Sequence, residues 1–190
     1  MLYEKDDNRK TWCIIMRIIS GRFKNRKIFS INGVKTRPLS NNIQEAIFNI
    51  LDDLEGITIL ELFAGYGMFS LEAISRGAAH STLVEMNYKL IEKDKDTISS
   101  LGINKQVKII KKDVFKGLKL PDKNYNLIFA DPPFYLDLPT RTLQLVKEND
   151  WMKENGLFIL RYSDKEEIRD DWEHVYEKKY GDSIVAFFKK

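Results

Sequence analysis

Between residues 57 and 161 the chain alternates short apolar runs with amphipathic segments, and that alternation leaves few folds open. Residues 57–63, 82–85, 107–110, 125–130 and 157–161 have the length and composition of buried strands. Between them, residues 68–75, 87–101 and 138–147 carry helical spacing, with Asn87 placed to cap the second of these. Strands joined through helices lie parallel, because a parallel pair needs a long crossover, and such crossovers are right-handed. The expectation is an α/β domain built on a mainly parallel sheet. The end of the chain breaks the rhythm. Residues 175–180 and 184–188 are separated only by a turn at Gly181-Asp182, which predicts a hairpin and so an antiparallel strand at the far end of the sheet.

Upstream, residues 14–19 and 27–31 read as strands around a turn at Gly21, and Asn32-Gly33 marks the next turn. Pro38 ends the extended structure. Ser40 or Asn41 then caps a helix on which Ile43, Ala46, Ile47, Ile50, Leu51 and Leu54 recur at helical spacing. The expected organisation is a flexible extension at 1–15, a basic hairpin and helix at 16–55, and the α/β domain at 56–190, with Met16 opening the structured pattern. The net charge of +3 says little, but its distribution says more: residues 16–37 hold Arg17, Arg22, Lys24, Arg26, Lys27, Lys35 and Arg37 and no acidic residue. Such a segment is an electrostatic footprint for phosphates, although a solvated hairpin carries the same charges.

Three motifs fall at the carboxyl ends of the expected strands, where sheets of this kind bind ligands. The first is Glu61-Leu62-Phe63-Ala64-Gly65-Tyr66-Gly67. Its glycines let backbone approach a ligand where a side chain would collide. Glu85 follows Gly67 by eighteen residues, beside Met86, and an acid there accepts hydrogen bonds from ribose hydroxyls. Together they point to an adenosine-containing cofactor. A nicotinamide dinucleotide fits less well, because Ser70 stands where its fingerprint has a third glycine and Glu61 would face a pyrophosphate. A sulfonium cofactor with an amino group suits an acid. The second motif is Asp113, just past the third strand, placed to accept from an adenine amino group with Val114 or Phe115 covering the ring.

The third is Asp131-Pro132-Pro133-Phe134, directly after the fourth strand. Two prolines stiffen the loop. Asp131 supplies a carboxylate acceptor, the Pro132 carbonyl a second acceptor, and Phe134 a ring face on which a flat base stacks. The exocyclic amine of a base is a weak nucleophile because its lone pair is delocalised into the ring. Two acceptors aimed at its hydrogens favour a pyramidal nitrogen whose lone pair faces a methyl donor, so positioning and electrostatics carry the reaction. The base must first leave its stack.

Other chemistries find little in the chain. It has no Gly-Lys-Ser/Thr phosphate loop and no nucleophile elbow. One cysteine, Cys13, makes no internal disulfide, and His80 and His174 stand apart, so no metal site is expected and a reducing cytoplasm is the expected location. No apolar stretch reaches the ~20 residues of a membrane span.

The chain resembles the bacterial 16S ribosomal RNA guanine-N2 methyltransferases of the small-subunit methyltransferase D family. The resemblance runs from Met16 to the C-terminus, through Met16-Arg17-Ile18-Ile19-Ser20-Gly21, Thr36-Arg37-Pro38, Glu45-Ala46-Ile47-Phe48-Asn49-Ile50-Leu51, Glu61-Leu62-Phe63-Ala64-Gly65, Leu71-Glu72-Ala73-Ile74-Ser75-Arg76-Gly77-Ala78 and Asp131-Pro132-Pro133-Phe134. It implies a Rossmann-like domain with a mainly parallel seven-stranded sheet and an antiparallel C-terminal strand, preceded by a small β-hairpin and helix. It implies S-adenosylmethionine as cofactor and a guanine of 16S rRNA as target, in the small subunit or its assembly intermediate; a monomer is the expected state. By position, Glu85 would hold the ribose, Asp113 the adenine, the Gly65-Tyr66-Gly67 turn the methionine end, and Asp131 with Pro132 the amine. The chain departs from the family pattern at Tyr66, where a small residue is usual, at Asn42 and Gln44, where arginines are usual, and at Glu61, where aspartate is usual. Three other readings stay open: a DNA adenine-N6 methyltransferase, a ribosome-assembly factor that retains the fold without catalysis, and a nicotinamide dehydrogenase, which would bind NAD and ignore S-adenosylmethionine.

Overall fold

A computed structural model describes residues 2–5, 12–34, 36, 38–51, 53–120, 124–134 and 137–190. The chain opens with three antiparallel strands, β1 (Leu2–Lys5), β2 (Trp12–Arg17) and β3 (Lys27–Phe29), followed by α1 (Asn41–Ile50). Part of the segment expected as a loose extension is therefore a strand: Leu2 faces Ile15 and Lys5 faces Trp12 across the β1–β2 ladder. The cap of α1 is Ser40, whose hydroxyl accepts the Ile43 N–H, and the helix stops at Ile50, short of Leu54.

The α/β domain follows as β4 (Thr58–Leu62), α2 (Met68–Ser75), β5 (His80–Glu85), α3 (Tyr88–Ser100), β6 (Val107–Lys111), β7 (Tyr125–Ala130), α4 (Leu138–Asn149), β8 (Met152–Ser163), β9 (Tyr176–Tyr180) and β10 (Ser183–Lys189). They form one seven-stranded sheet in the order β6-β5-β4-β7-β8-β10-β9. Strands β4 to β8 pair in parallel, and β10 is antiparallel to both of its neighbours. The terminal hairpin forms as expected, but its antiparallel member is not at the edge: β10 is inserted between β8 and β9. The side chains explain the order. Val185, Ala186, Phe187 and Phe188 are buried, while Tyr176, Glu177, Lys178 and Lys179 are exposed. A strand covered on both faces goes inside, and charged residues keep the edge from further pairing.

Side chains alternate between the two faces of the sheet. Ile59, Phe129, Ile159 and Phe187 pack with Met16, Ile18, Ile43, Ile47 and Phe69 on one face; Leu60, Ile128, Phe158 and Phe188 pack with Leu143, Val146 and Trp151 on the other. Phe69 is fully buried, stacked on Phe129 at 4.1 Å and 4.8 Å from Phe48.

Every residue of α2 is buried, because the N-terminal module covers the side turned away from the sheet. Glu72 is the anchor. Its carboxylate accepts the Ile19 and Ser20 N–H groups at 2.7 and 3.0 Å, the Gln44 side-chain amide at 3.1 Å and Arg76 Nε at 2.7 Å. One helical turn on, the Ser75 hydroxyl accepts the Phe23 N–H and donates to the Ser20 carbonyl. The Leu71–Ala78 run and the Met16–Gly21 run are thus two halves of one junction, which fixes the hairpin against the domain.

Candidate functional site

Two-residue periodicity brings the chemistry together. Glu61 follows Ile59, Asp131 follows Phe129 and Arg161 follows Ile159, so all three lie on the α2 face at the carboxyl edge of the sheet. There a cleft of about 580 Å³ is walled by Phe63 and Gly65 after β4, Glu85, Met86 and Asn87 after β5, and Asp131, Pro132, Pro133 and Phe134 after β7. Val34 and Thr36 of the N-terminal module, Leu90 and Arg161 complete it. A smaller recess of about 60 Å³ shares Phe63, Gly65, Thr36 and Asp131 with the cleft and adds Glu61, Ala64 and Tyr66.

The first turn is built for close approach. Phe63, Gly65 and Gly67 all have positive φ, at 56°, 61° and 59°. A Cβ on Gly67 would fall 2.6 Å from Leu83 Cδ2, which would have to shift, and the left-handed φ favours glycine there. A Cβ on Gly65 would meet nothing nearer than Thr36 Oγ1 at 3.9 Å, so Gly65 presents bare backbone to the cleft. Glu85 ties this turn to the next. One of its oxygens accepts the Gly65 N–H at 2.8 Å, and the other accepts the Met86 and Asn87 N–H groups at 2.9 and 2.8 Å. Met86 beside it is 65% exposed.

Glu61 is 3% exposed and accepts the Ser70 N–H at 2.9 Å. Burial pushes its carboxyl up to about 7, the Ser70 hydrogen bonds oppose the shift, and the Asp131 charge adds to it. Tyr66 turns away from the open cleft. Its ring is buried, and its hydroxyl accepts the Ile31 N–H at 2.9 Å, which ties the glycine turn to the N-terminal module.

Asp131 is held by Arg161, whose Nη1 donates to Oδ2 at 2.8 Å. The guanidinium lies over the Phe134 ring at 5.0 Å. Pro132 is buried and Pro133 exposed. Arg161 is a site residue that no motif in the sequence singles out. It stands at the end of an apolar strand run, yet a charge following Phe158-Ile159-Leu160 signals a buried partner.

Asp113 and Val114 are not brought into the cleft. Asp113 closes its own turn, accepting the Phe115 N–H at 3.0 Å, and that bond and Lys116 hold its carboxyl below the usual range. Val114 is buried in the opposite core, and the Phe115 ring is 5.7 Å from Phe63 under the Arg141 guanidinium. In the hairpin, Arg22, Lys24, Arg26 and Lys27 are exposed and Arg17 half-buried. Arg22 bonds Gln106, just before β6, so the tip lies at the amino edge of the sheet, opposite Asp131. Arg37 lies outside the described residues. Among the described residues no group of three or more His, Cys, Asp or Glu could hold a metal, and no helix is long and apolar enough to cross a membrane.

The strand order, the glycine turn, the acid after the second strand and the Asp-Pro-Pro-Phe loop define a Rossmann-like methyltransferase of the S-adenosylmethionine-dependent class. Solved structures share this fold. The yhhF protein from Escherichia coli superposes with TM-score 0.80 at 26% identity over 93% of this chain and 98% of that one. An RNA methyltransferase from Salinibacter ruber, solved with S-adenosyl-L-homocysteine, has TM-score 0.64 at 12% identity over 80% and 93%. The model of the family described as conserved hypothetical protein 95 matches residues 16–189. The ribosomal RNA small subunit methyltransferase D of Buchnera aphidicola from Acyrthosiphon pisum is 36% identical over 174 residues, 90% of each chain. That of Buchnera aphidicola from Baizongia pistaciae is 36% identical over 154 residues, 80% of this chain and 78% of that one. The chain belongs to this family, the ribosomal RNA small subunit methyltransferase D family.

Proposed function

We propose that the protein transfers a methyl group from S-adenosylmethionine to the exocyclic N2 amine of a guanine in 16S rRNA, within the small ribosomal subunit or an assembly intermediate, acting in the cytoplasm as a monomer. The observation that carries this reading is the meeting, in one cleft, of bare Gly65 backbone, the Glu85 carboxylate and the Asp131–Phe134 loop. The cleft volume lies within the range of small-molecule sites. A cofactor bearing an ammonium and a sulfonium suits the acidic set of Glu61, Glu85 and Asp131. When bound, S-adenosylmethionine supplies an electrophilic methyl group.

The protein's own residues do the rest. Glu85 has about four acceptor positions. Three are used by the turn N–H groups, which leaves capacity for a ribose hydroxyl. The Gly65-Tyr66-Gly67 turn and Glu61 take the methionine end, with Met86 beside the adenosine. The covering role assigned to Val114 and the adenine contact assigned to Asp113 would need the Asp113 turn to open. Asp131 and the Pro132 carbonyl accept the amine hydrogens, and Phe134 stacks on the base. Because no strong base is needed, the loop works by orientation and electrostatics, and the proton that the methylated nitrogen sheds passes to the Asp131 carboxylate and on to solvent. The RNA backbone follows Arg17, Arg22, Lys24, Arg26 and Lys27 along the α2 flank, and Arg37, outside the described residues, is a further proposed RNA contact. That path spans from one edge of the sheet to the other.

The test uses labelled S-adenosylmethionine and unmodified small subunits, comparing wild type with Asp131→Ala. The variant should lose ~10²–10³ in kcat while cofactor affinity stays within a few-fold. Full activity in the variant would remove Asp131 from the reaction.

A further inference from the structure

We propose that Arg161 is a positioning residue for methyl transfer, holding the Asp131 carboxylate and the Phe134 ring in the orientation that the base amine requires. The inference rests on the reading of Asp131 as the amine acceptor.

The sheet register makes the pair. Phe129 faces Ile159 and Ala130 faces Leu160 in the parallel β7–β8 ladder, so Asp131 and Arg161 come next, on the same face. From the other side, Val185 of β10 faces Arg161, and Ser183 lies two residues away on that face. The guanidinium is therefore gripped at both ends: Nη1 to Asp131 Oδ2 at 2.8 Å and Nη2 to the fully buried Ser183 hydroxyl at 2.9 Å. Its Cζ lies over the Phe134 ring, 5.0 Å from the centroid. One planar group thus touches the acceptor and the stacking platform of the same loop.

A stability role alone accounts poorly for this arrangement. Arg161 is 4% exposed within a strand of apolar neighbours, where a well-packed hydrophobic residue generally stabilises as well as a buried ion pair does. The arginine adds direction. With Oδ2 fixed by a charge-assisted bond, the carboxylate plane no longer rotates, and the direction of Oδ1 is set.

The test compares Arg161→Met, Arg161→Lys, Ser183→Ala and Asp131→Asn with wild type, each alone, and Arg161→Met combined with Asp131→Asn. Arg161→Met should lower kcat by roughly 10- to 100-fold, the range a small misplacement costs. Its S-adenosylmethionine affinity should stay within a few-fold. Lysine should recover part of the loss, and Ser183→Ala should show a smaller loss of kcat alone, which keeps the test open if Arg161→Met does not fold. The double variant should be no slower than Asp131→Asn. Wild-type kcat in Arg161→Met, or a double variant slower by the product of the two losses, would overturn the proposal. A second readout needs no substrate: ¹³C titration of the Asp131 carboxyl, which faces Arg161 from β8, Glu61 from β4 and Glu85 across the cleft. Removing the adjacent cation should raise its midpoint. An unchanged midpoint would refute the Arg161 role, whereas absence of methyl transfer by wild type would refute only the functional reading.

Discussion

Replacing Glu61 with glutamine should make the cofactor-free protein more stable at pH 8 and leave it unchanged at pH 4. The glutamine keeps a carbonyl acceptor for the Ser70 N–H and removes the charge. The native carboxyl titrates at about 7 against 4.5 when unperturbed, chiefly because burial penalises the ionised form. The native state therefore binds this proton more tightly than the unfolded chain. The resulting stability is fully present below about pH 4.5 and is lost as pH rises through about 7. At 1.36 kcal/mol per unit, the shift corresponds to about 3 kcal/mol at pH 8. For a domain of this size that is a Tm difference of about 6–12 °C. The assay is thermal unfolding by circular dichroism of wild type and Glu61→Gln at pH 4, 5.5 and 8. The gap in Tm should open with pH. A constant gap would refute the buried, proton-binding account of Glu61. Cofactor affinity supplies the complementary arm. A cationic ligand favours ionised Glu61, so wild-type affinity should gain more from pH 6 to 8 than that of the variant does.

Glu72→Ala should cost about 3–5 kcal/mol in urea unfolding, because it strips a buried carboxylate from four donors. It should also expose the Ile19 and Ser20 amides to hydrogen exchange, and unchanged protection would show that the hairpin docks without it. Glu85→Ala should weaken S-adenosylmethionine binding by about 10- to 100-fold in calorimetry; an unchanged Kd would remove the ribose role. Charge reversal at Arg22, Lys24 and Arg26 should weaken RNA binding and flatten its salt dependence by roughly one unit of slope for each phosphate no longer neutralised. Cofactor affinity should not change, and an unaltered salt slope would make the hairpin a solvated surface.

The parts of the fold that were legible in the sequence are those encoded locally. The apolar runs of β4 to β8, the turn residues Gly65 and Gly67, and the stiff Asp131–Phe134 loop each announce themselves within a few residues. Strand neighbours are a different matter. The Gly181-Asp182 turn pairs β9 with β10 but does not say which of them meets β8; that follows from the contrast between Val185-Ala186-Phe187-Phe188 and Glu177-Lys178-Lys179. The roles of Arg161 and Glu72 are hidden because their partners are distant in sequence, Asp131 from another strand and Ile19 from another module. In each case the signal is a charge set inside an apolar run. Tyr66 reads as a departure at a ligand turn, whereas its side chain serves the module junction. Asp113 sits at the expected point after its strand, but a side chain that short bonds its own turn first.

The most direct test of the account is nucleoside analysis after methyl transfer from labelled S-adenosylmethionine, offered unmodified small ribosomal subunits, naked 16S RNA and duplex DNA in parallel. The account predicts N2-methylguanosine from the subunits. Label recovered as N6-methyladenine in DNA, or no transfer to any of the three despite tight cofactor binding, would contradict it.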